Sequence, residues 1–159
     1  MNWLRVWTVI DIACLDRCEK QVAVFNEHPE VSICSGTILE FSETPEDADR
    51  RRMLPEGNEA IREFAKRRNP FNHACVMYKK SAVEAAGSYQ HFYRLEDYYL
   101  WIRMLMVGYE GYNIQEPLIF VRATVDMYKR RSGWHYAKSA NRIVPFHVEA
   151  RIHKCLAVC

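Results

Sequence analysis

The chain has 159 residues, 49% of them hydrophobic and 26% charged, a balance typical of a folded globular protein rather than a disordered one. This length suits a single domain, residues 1–159, with a core of its own. The net charge of +2 disfavours a nucleic-acid-binding protein. No apolar run is long enough to cross a membrane, and Asp11 interrupts the apolar start, so we expect neither a membrane span nor a signal peptide.

The sequence predicts alternating helices and strands. The first half contains, in order, a helix at 16–27 begun by Asp16 and ended by His28-Pro29, a strand at 31–41 with a bend or close approach at Gly36, an acidic loop at 42–49, a basic edge at 50–52 and a helix at 57–68. The second half begins with a turn at 69–73, a strand at 74–79 and a short helix capped by Ser81 and ended by Gly87. A helix opened by Glu96-Asp97 follows, and then a turn between Gly108 and Gly111. The last elements are strands at 112–114 and 117–122 and a basic, mostly helical tail from Asp126. This alternation predicts an α/β fold with a mixed sheet.

Six cysteines lie at positions 14, 18, 34, 75, 155 and 159. None forms a C-x-x-C pair, which disfavours a zinc site. Cys34 and Cys75 lie in apolar runs, where a free cysteine behaves as a small hydrophobic side chain. We therefore expect reduced structural thiols and a cytoplasmic protein.

Glu96 and Asp97 are the first candidates for chemistry. A carboxylate at a helix start lies at the edge of the core, where the positive end of the helix dipole favours its ionised form. Such a group can act as a general base or hold a ligand hydroxyl. The alternative is that the pair only caps the helix.

Two further polar groups are predicted beside the sheet. Asn72 and His73 stand at a turn before a strand, where polar side chains are often functional, although a structural hydrogen-bonding role is the alternative. A basic group follows the last strand and suits a diphosphate, with a solvated helix face as the alternative. Its members are Arg122, Lys129, Arg130 and Arg131. Arg50–Arg52 is interpreted as a solvated edge. A base, a polar turn and a diphosphate clamp together suit group transfer from a nucleotide-linked donor.

Several long motifs occur in one order between about Asp11 and about Trp134. They are EKQ (19–21), HPEV (28–31), FAKRRNPFNH (64–73), VMYKKSAV (76–83), AGSY (86–89), LEDYYLWIRM (95–104) and MYKRR (127–131). In these motifs the chain closely resembles bacterial family 2 glycosyltransferases. The resemblance implies the second half of a GT-A fold, a Rossmann-like nucleotide-diphospho-sugar transferase domain. It also implies inverting transfer of a sugar from a nucleotide-diphosphate sugar to an acceptor hydroxyl, in polysaccharide or glycoconjugate assembly.

The resemblance also assigns roles to residues. It implies that Asp97 is the base that deprotonates the acceptor hydroxyl and that Glu96 helps to orient the acceptor. His73 and Asn72 would lie near the acceptor or the leaving group. The diphosphate would be steadied by Arg122, Lys129, Arg130 and Arg131. The implied partners are a nucleotide-sugar and a glycan or lipid-linked acceptor.

The sequence departs from the family pattern in two respects. The family's Asp-x-Asp motif holds a divalent cation, Mn²⁺ or Mg²⁺, through hard oxygen ligands. Here Asp11 is the one carboxylate left to contact such a metal, so the motif is degenerate. The resemblance implies that the nucleotide-binding half, which would precede the matched region, is missing, and residues 1–10 and 135–159 diverge from the family pattern. We therefore expect a truncated glycosyltransferase that transfers no sugar by itself.

The alternative is a non-catalytic remnant that binds a glycan or a protein, or that self-associates. Removing the first half of a wound sheet exposes a strand edge and an apolar face, and both favour pairing. The apolar segment from Trp3 to Ile10 would then replace a missing strand or close a homodimer. A nucleic-acid-binding domain would use the basic clusters, but the near-neutral charge disfavours it.

Overall fold

The structure, a computed structural model, describes residues 3–5 and 11–123. The predicted diphosphate residues Lys129, Arg130 and Arg131 lie outside the described residues, as do the predicted helical tail and the two terminal cysteines. Arg122 is the member of the basic group that the structure does place.

The elements of the described residues alternate much as predicted. In chain order they are β1 (Trp3–Arg5), β2 (Asp11–Ala13), α1 (Arg17–Glu27), β3 (Val31–Phe41), β4 (Arg50–Arg52), α2 (Asn58–Ala65), β5 (Met77–Lys79), α3 (Lys80–Ala85), α4 (Glu96–Val107) and β6 (Glu110–Arg122). Single 3-10 turns occupy Pro45–Asp47 and His73–Cys75.

The strands form one mixed sheet in the order β1-β5-β3-β6-β2, with β4 also paired to β3. The central strands β3 and β6 are parallel, and the other pairs are antiparallel. A Cβ atom on Gly36 would lie 2.5 Å from Cδ1 of Leu118, so the close approach predicted at this glycine is confirmed. The α/β class with a mixed sheet is likewise confirmed, and it is compatible with a Rossmann-like fold.

Helices cover both faces of the sheet. Ile33 and Cys34 are consecutive on β3 and therefore point to opposite faces. Ile33 packs in a core with residues of α2, α3 and α4, whereas Cys34 packs with Val24 and Phe25 of α1. Burying apolar side chains on both faces in this way supplies most of the stability of such a fold.

Helix α4 is the most deeply buried helix of the described chain. Its length reflects good helix formers such as Leu and Met, and it ends at Gly108, whose φ of 110° is left-handed. Its buried members are Tyr98, Leu100, Trp101, Ile102, Met104 and Leu105. The helix begins after Leu95, and no side chain caps it. The alternative role predicted for Glu96 and Asp97, that they only cap the helix, is therefore not observed. Both carboxylates can make other contacts.

Three local predictions were wrong. Residues 73–75 form a 3-10 turn, so the strand predicted at 74–79 is only Met77–Lys79. Ser81 lies inside α3, whose N-cap is Lys79. The two strands predicted at 112–114 and 117–122 are one strand, β6, which also contains Gly111. Pro117 lies opposite Thr37 at a register irregularity, where a missing N–H interrupts the ladder without ending the strand.

Parts of the outer edge of β6 are covered by the chain itself. The N–H of Gly111 donates to Oδ1 of Asn58 at 3.3 Å, and the N–H of Asn113 donates to the carbonyl of Glu56 at 3.0 Å. Further along, β2 pairs with residues 119–121. At the opposite side of the sheet Trp3–Arg5 adds a strand to β5. Residues 6–10 of the predicted N-terminal segment lie outside the described residues. Association through a sheet edge stays a prediction.

Among the helices the structure describes, none combines the length and apolar character needed to traverse a bilayer.

Candidate active site

A pocket of about 320 Å³ opens at the first turn of α4. It lies where the loop at 69–73, the loop at 89–95 and the end of β4 come together. The lining residues are Arg52, Asn69, Phe71, His73, Tyr89, Arg94, Leu95, Glu96 and Asp97. The pocket thus brings the predicted carboxylate pair and the predicted histidine to one place.

Asp97 is held in a defined orientation on the pocket wall. Its side chain is 21% exposed, and its Oδ2 accepts a 2.8 Å hydrogen bond from Nδ2 of Asn69. Oδ1 of Asn69 in turn accepts the backbone N–H of Phe71 at 3.2 Å. Because one end of the Asn69 amide is held by the backbone, its N–H group is directed to Asp97. A hydrogen bond to a charged group of this kind contributes about 1.5–3 kcal/mol.

His73 lies beside the same carboxylate oxygen. Its Nδ1 is 3.8 Å from Oδ2 of Asp97, beyond hydrogen-bond distance, and this nitrogen is buried with no hydrogen-bond partner. The side chain as a whole is 39% exposed, so its solvent contact lies at the other atoms of the ring. The ring leans against Trp101, with 6.4 Å between ring centroids. His73 is therefore placed to form an ion pair with Asp97 when it is protonated.

Aromatic rings form one wall of the pocket and pack against the buried ring of Trp101. Trp101 is fully buried, and Phe71 and Tyr89 meet it edge to face, with centroids 6.0 and 6.3 Å apart. Phe71 and Tyr89 also line the pocket. Burial, the nearby Tyr78 and the carboxylate of Asp97 raise the pKa of Tyr89, so its phenol stays neutral and can donate a hydrogen bond. An aromatic wall with a polar tip suits a ligand that has one apolar face and several hydroxyls, such as a sugar.

The structure places the other predicted site residues outside this pocket or at its rim. Glu96 is exposed at the rim. Asn72 is buried, and its Nδ2 donates to the carbonyls of Gly36 at 2.8 Å and Arg52 at 3.2 Å. Its side chain therefore joins β3 to β4 rather than lining the pocket. Arg122 is exposed at the end of β6, where its Nη2 donates to the carbonyl of Glu43 at 3.1 Å.

The described residues do not offer a divalent cation a ready site. Asp11 lies on β2 opposite Val121, where burial raises its pKa and Arg17 partly counters that shift. It does not line the pocket. In the region 11–123 no three side chains of His, Cys, Asp or Glu are grouped so that they could hold a metal ion. The cation implied by the resemblance stays a prediction.

The sequence did not predict six of the pocket residues, of which four are polar: Asn69, Tyr89, Arg94 and Arg52. Asn69 lies in the same turn as His73, directly before Pro70. The residue before a proline is restricted to extended conformations, which was the available signal. Tyr89 and Arg94 stand in an irregular loop, and Arg52 stands in a basic run that reads as solvated. Their convergence depends on the packing of that loop against α4.

Comparison with known proteins adds independent information. No known family model matches the chain. It is 43% identical over 129 residues to "Amylovoran biosynthesis glycosyltransferase AmsE" of Erwinia amylovora, a match that covers 81% of this chain and 48% of that protein. The chain is similar to glycosyltransferases. It is also 38% identical to an uncharacterized glycosyltransferase of Haemophilus influenzae, over 89% of this chain and 52% of that protein.

A further relative carries a more specific name. The chain is 36% identical to the "UDP-Gal:alpha-D-GlcNAc-diphosphoundecaprenol beta-1,3-galactosyltransferase" of Escherichia coli, over 81% of this chain and 46% of that protein. The chain spans about half the length of the curated relatives it matches. These similarities support a glycosyltransferase-like protein.

Proposed function

We propose that residues 11–123 form the acceptor-side part of a family 2 glycosyltransferase with a GT-A fold. In this proposal the complete enzyme, of which this region forms one part, transfers a sugar from a nucleotide-diphosphate sugar to an acceptor hydroxyl, with inversion at the anomeric carbon. The observation that carries this proposal is the Asn69–Asp97 hydrogen bond at 2.8 Å on the wall of a sugar-sized pocket. The similarity to named glycosyltransferases supports the same reaction class.

Asp97 is the general base of the proposed reaction. It accepts the proton of the acceptor hydroxyl, and the resulting oxygen nucleophile forms a bond to the anomeric carbon of the donor sugar. The bond from that carbon to the donor diphosphate breaks on the opposite face, and the nucleoside diphosphate leaves with the electron pair. A positioned base of this kind contributes about 10²–10⁴-fold to the rate.

The neighbours of Asp97 keep it competent for this step. Asn69 occupies Oδ2, so Oδ1 is the oxygen that takes the proton. The start of α4 places the partial positive charge of the helix N-terminus beside this carboxylate. His73 stands beside Oδ2 and balances the negative charge when it is protonated.

The size of the pocket supports an acceptor as its ligand rather than a complete donor. A volume of about 320 Å³ lies at the lower end of the roughly 300–1,000 Å³ typical of small-molecule sites. It accommodates one sugar and a substituent, whereas a nucleotide-sugar needs more room. The substrates we propose are therefore a glycan or lipid-linked acceptor in this pocket and a nucleotide-sugar that approaches from outside it, during polysaccharide assembly.

We also propose that this part of the protein works in the cytoplasm. The cysteines that the structure describes, Cys14, Cys18, Cys34 and Cys75, are all free. Free thiols are typical of reducing compartments.

A chimera tests the proposal. The region of the Erwinia amylovora relative that matches this chain is replaced by the corresponding residues of this chain, and sugar transfer is measured. We expect transfer by the chimera and a loss of about 10²–10⁴-fold in Asp97→Asn, which keeps the shape of the side chain and removes the base. Glu96→Gln is the matched control, since it neutralises the adjacent, exposed carboxylate and is expected to cost far less. Transfer that survives Asp97→Asn would contradict the proposal.

A further inference from the structure

We propose that Arg103 is a positioning residue for the pocket that contains Asp97. Its guanidinium group holds the loop at 86–95, and through this loop it sets the place of Tyr89 in the pocket wall. The ring of Tyr89 is the surface against which the acceptor lies. This inference rests on the proposed function, because it names a residue that determines how the ligand of that pocket is held.

Arg103 lies on α4, outside the pocket lining, and donates to the start of the loop. Its Nη1 donates to the carbonyl of Ala86, and its Nη2 donates to the carbonyl of Ser88 at 2.6 Å. These two residues directly follow α3, where the N–H of Ser88 also donates to the carbonyl of Val83 at 2.8 Å. Carbonyls at a helix end lack partners within the helix, so a guanidinium group both satisfies them and complements the helix dipole. Arg103 therefore fixes the point at which the loop leaves α3.

The backbone at this point leaves room for the guanidinium group. Gly87 has a φ of 83°, and a Cβ atom on it would lie 3.2 Å from Nη1 of Arg103. Ser88 follows with a φ of 56°, which is also left-handed. Because a residue with a side chain adopts this conformation at a cost, the turn needs contacts that stabilise it. The two hydrogen bonds from Arg103 are such contacts.

Arg103 also supports the far end of the loop, through stacked rings. The guanidinium carbon of Arg103 lies 4.7 Å from the ring centroid of Tyr99, and the ring centroids of Tyr99 and Phe92 are 4.9 Å apart. The carbonyl of Phe92 accepts the N–H of Leu95 at 2.9 Å, and Leu95 is 4% exposed. The loop is therefore anchored near both ends to α4, the helix that also carries Asp97.

Tyr89 lies between these two anchors and depends on them for its position. Its ring meets Trp101 edge to face and lines the pocket, but the residue is 43% exposed. Packing against the core therefore leaves it room to move, and the loop decides where the ring stands. Its apolar face and hydroxyl suit a sugar. Release of the loop would remove this wall and leave Asp97 in place, because Asn69 holds that carboxylate from another segment.

The first experiment observes Tyr89 directly in the 159-residue chain. Tyrosine is labelled with carbon-13 at Cζ, and the Tyr89 signal is identified by its absence in Tyr89→Phe. Because burial raises the pKa of Tyr89, the signal is expected to stay unchanged between pH 7 and pH 9.5 in the unmodified chain. In Arg103→Gln the signal is expected to move, since a solvated phenol with a pKa of about 10 is about one quarter ionised at pH 9.5. Arg103→Lys keeps a charged donor and is expected to move the signal less.

The second experiment measures acceptor binding in the Erwinia amylovora chimera. We expect Arg103→Gln to raise the KM for the acceptor at least tenfold and to lower kcat less than threefold, because Asp97 keeps its bond to Asn69. Arg103→Lys is expected to restore part of the loss. Tyr89→Ala removes the wall itself and is expected to raise KM by a similar factor. The double variant of Arg103→Gln and Tyr89→Ala is expected to show no further increase, because both changes remove the same contact.

Two further variants separate positioning from folding. Arg62→Gln is the matched control, since Nη2 of Arg62 donates to the carbonyl of Tyr109 at 3.3 Å and Arg62 does not line the pocket. It is expected to change neither the Tyr89 signal nor KM. Tyr99→Leu removes the ring beneath the guanidinium group but keeps both donated hydrogen bonds, so a smaller change in the same direction is expected. This variant serves as the test if Arg103→Gln does not fold.

The proposal is overturned if the Tyr89 signal or the acceptor KM stays unchanged in Arg103→Gln and in Tyr99→Leu, or if Arg62→Gln has an equal effect. The labelled signal needs no transfer, so the two proposals fail separately. A Tyr89 signal that moves in Arg103→Gln, with no transfer by the chimera, would retain the positioning of Tyr89 by Arg103 and reject the proposed function. Transfer by the chimera, with both measurements unchanged in Arg103→Gln, would do the reverse.

Discussion

Asn69 and Asp97, 28 positions apart in the chain, are joined by a 2.8 Å hydrogen bond from the amide nitrogen of the first to Oδ2 of the second. The bond connects a turn to the first turn of the buried helix α4. Because the backbone N–H of Phe71 holds the other end of the amide, the carboxylate receives a donor whose direction is set by the main chain.

Replacing Asn69 is predicted to impair the base without unfolding the protein. Asn69→Asp keeps the oxygen that accepts the N–H of Phe71 but puts a second carboxylate beside Oδ2 of Asp97. Loss of a hydrogen bond to a charged group, about 1.5–3 kcal/mol, corresponds to a roughly ten- to hundredfold slower transfer by the chimera at neutral pH.

The comparison with Asn69→Ala checks this reason. That variant also lacks the donor but adds no charge, so its rate is expected to fall less than that of Asn69→Asp. Equal rates for Asn69→Asp and the unmodified chimera at neutral pH would contradict a positioning role for Asn69.

The 159-residue chain by itself is predicted to give no measurable sugar transfer. Within the described residues no group of side chains can hold the cation expected for the family, and the pocket is sized for an acceptor. The measurement is release of nucleoside diphosphate from a panel of UDP- and GDP-sugars with Mn²⁺ and with Mg²⁺. Turnover that disappears in Asp97→Asn would overturn this prediction.

Gly111→Ala is predicted to destabilise the fold and to disturb the pocket. A Cβ at this position would lie 2.5 Å from Cζ of Phe71, a ring that is 1% exposed and packed on Trp101. Overpacking of this kind costs about 1–3 kcal/mol of unfolding free energy, measured here by urea unfolding. Gly57→Ala is the matched control. Nothing lies within 4 Å of its added Cβ, so only the smaller cost of an alanine at a helix N-cap, about 0.5–1 kcal/mol, is expected.

Cys34 and Cys75 are predicted to be unreactive in the folded protein. Burial raises the pKa of each thiol from 9.0 to about 12, and the thiolate is the reactive form. At pH 8.5, iodoacetamide is expected to modify the partly buried Cys18 well before these two, as read by peptide mass spectrometry, and urea is expected to abolish the difference. Modification of Cys34 in the folded chain as fast as Cys18 would contradict the buried environment.

The raised pKa values of Cys34 and Cys75 also make the unfolding free energy depend on pH in the alkaline range. Because the folded pKa lies above the unfolded one, the stabilisation is fully present below pH 9 and is lost as the pH rises toward 12. A double variant Cys34→Ala, Cys75→Ala is therefore expected to show a weaker fall in unfolding free energy between pH 8 and pH 11 than the unmodified chain, even though it is less stable at pH 8.

Much of the fold follows from local patterns. The β-branched run at 31–41 predicted β3 with its observed bounds, and the apolar spacing placed α1 and α4 within a residue or two. The division of β6 into two predicted strands has a tertiary cause. Proline and glycine usually interrupt a strand, so Gly111 and Pro117 were predicted to bound separate strands. Strand β6 continues through both residues because its parallel partner β3 holds its backbone.

Local sequence patterns predicted only part of the candidate site. Glu96, Asp97 and His73 were predicted, since charged and polar residues at helix starts and turns have a recognisable pattern. Asn69, Tyr89, Arg94 and Arg52 come from a turn, an irregular loop and a short strand, whose relative positions no local pattern encodes.

The sequence by itself determined the class of the fold, the central strand β3 and the buried helix α4 with its opening carboxylates. These depend on the spacing of apolar residues, which is a property of short segments. Only the tertiary structure decided what the carboxylates contact. The buried amide of Asn72 draws β4 to β3, the loop before Leu95 folds back over Trp101, and Asn69 reaches Asp97. Each of these contacts joins distant segments through burial and hydrogen bonding, so it exists only when the whole core is packed.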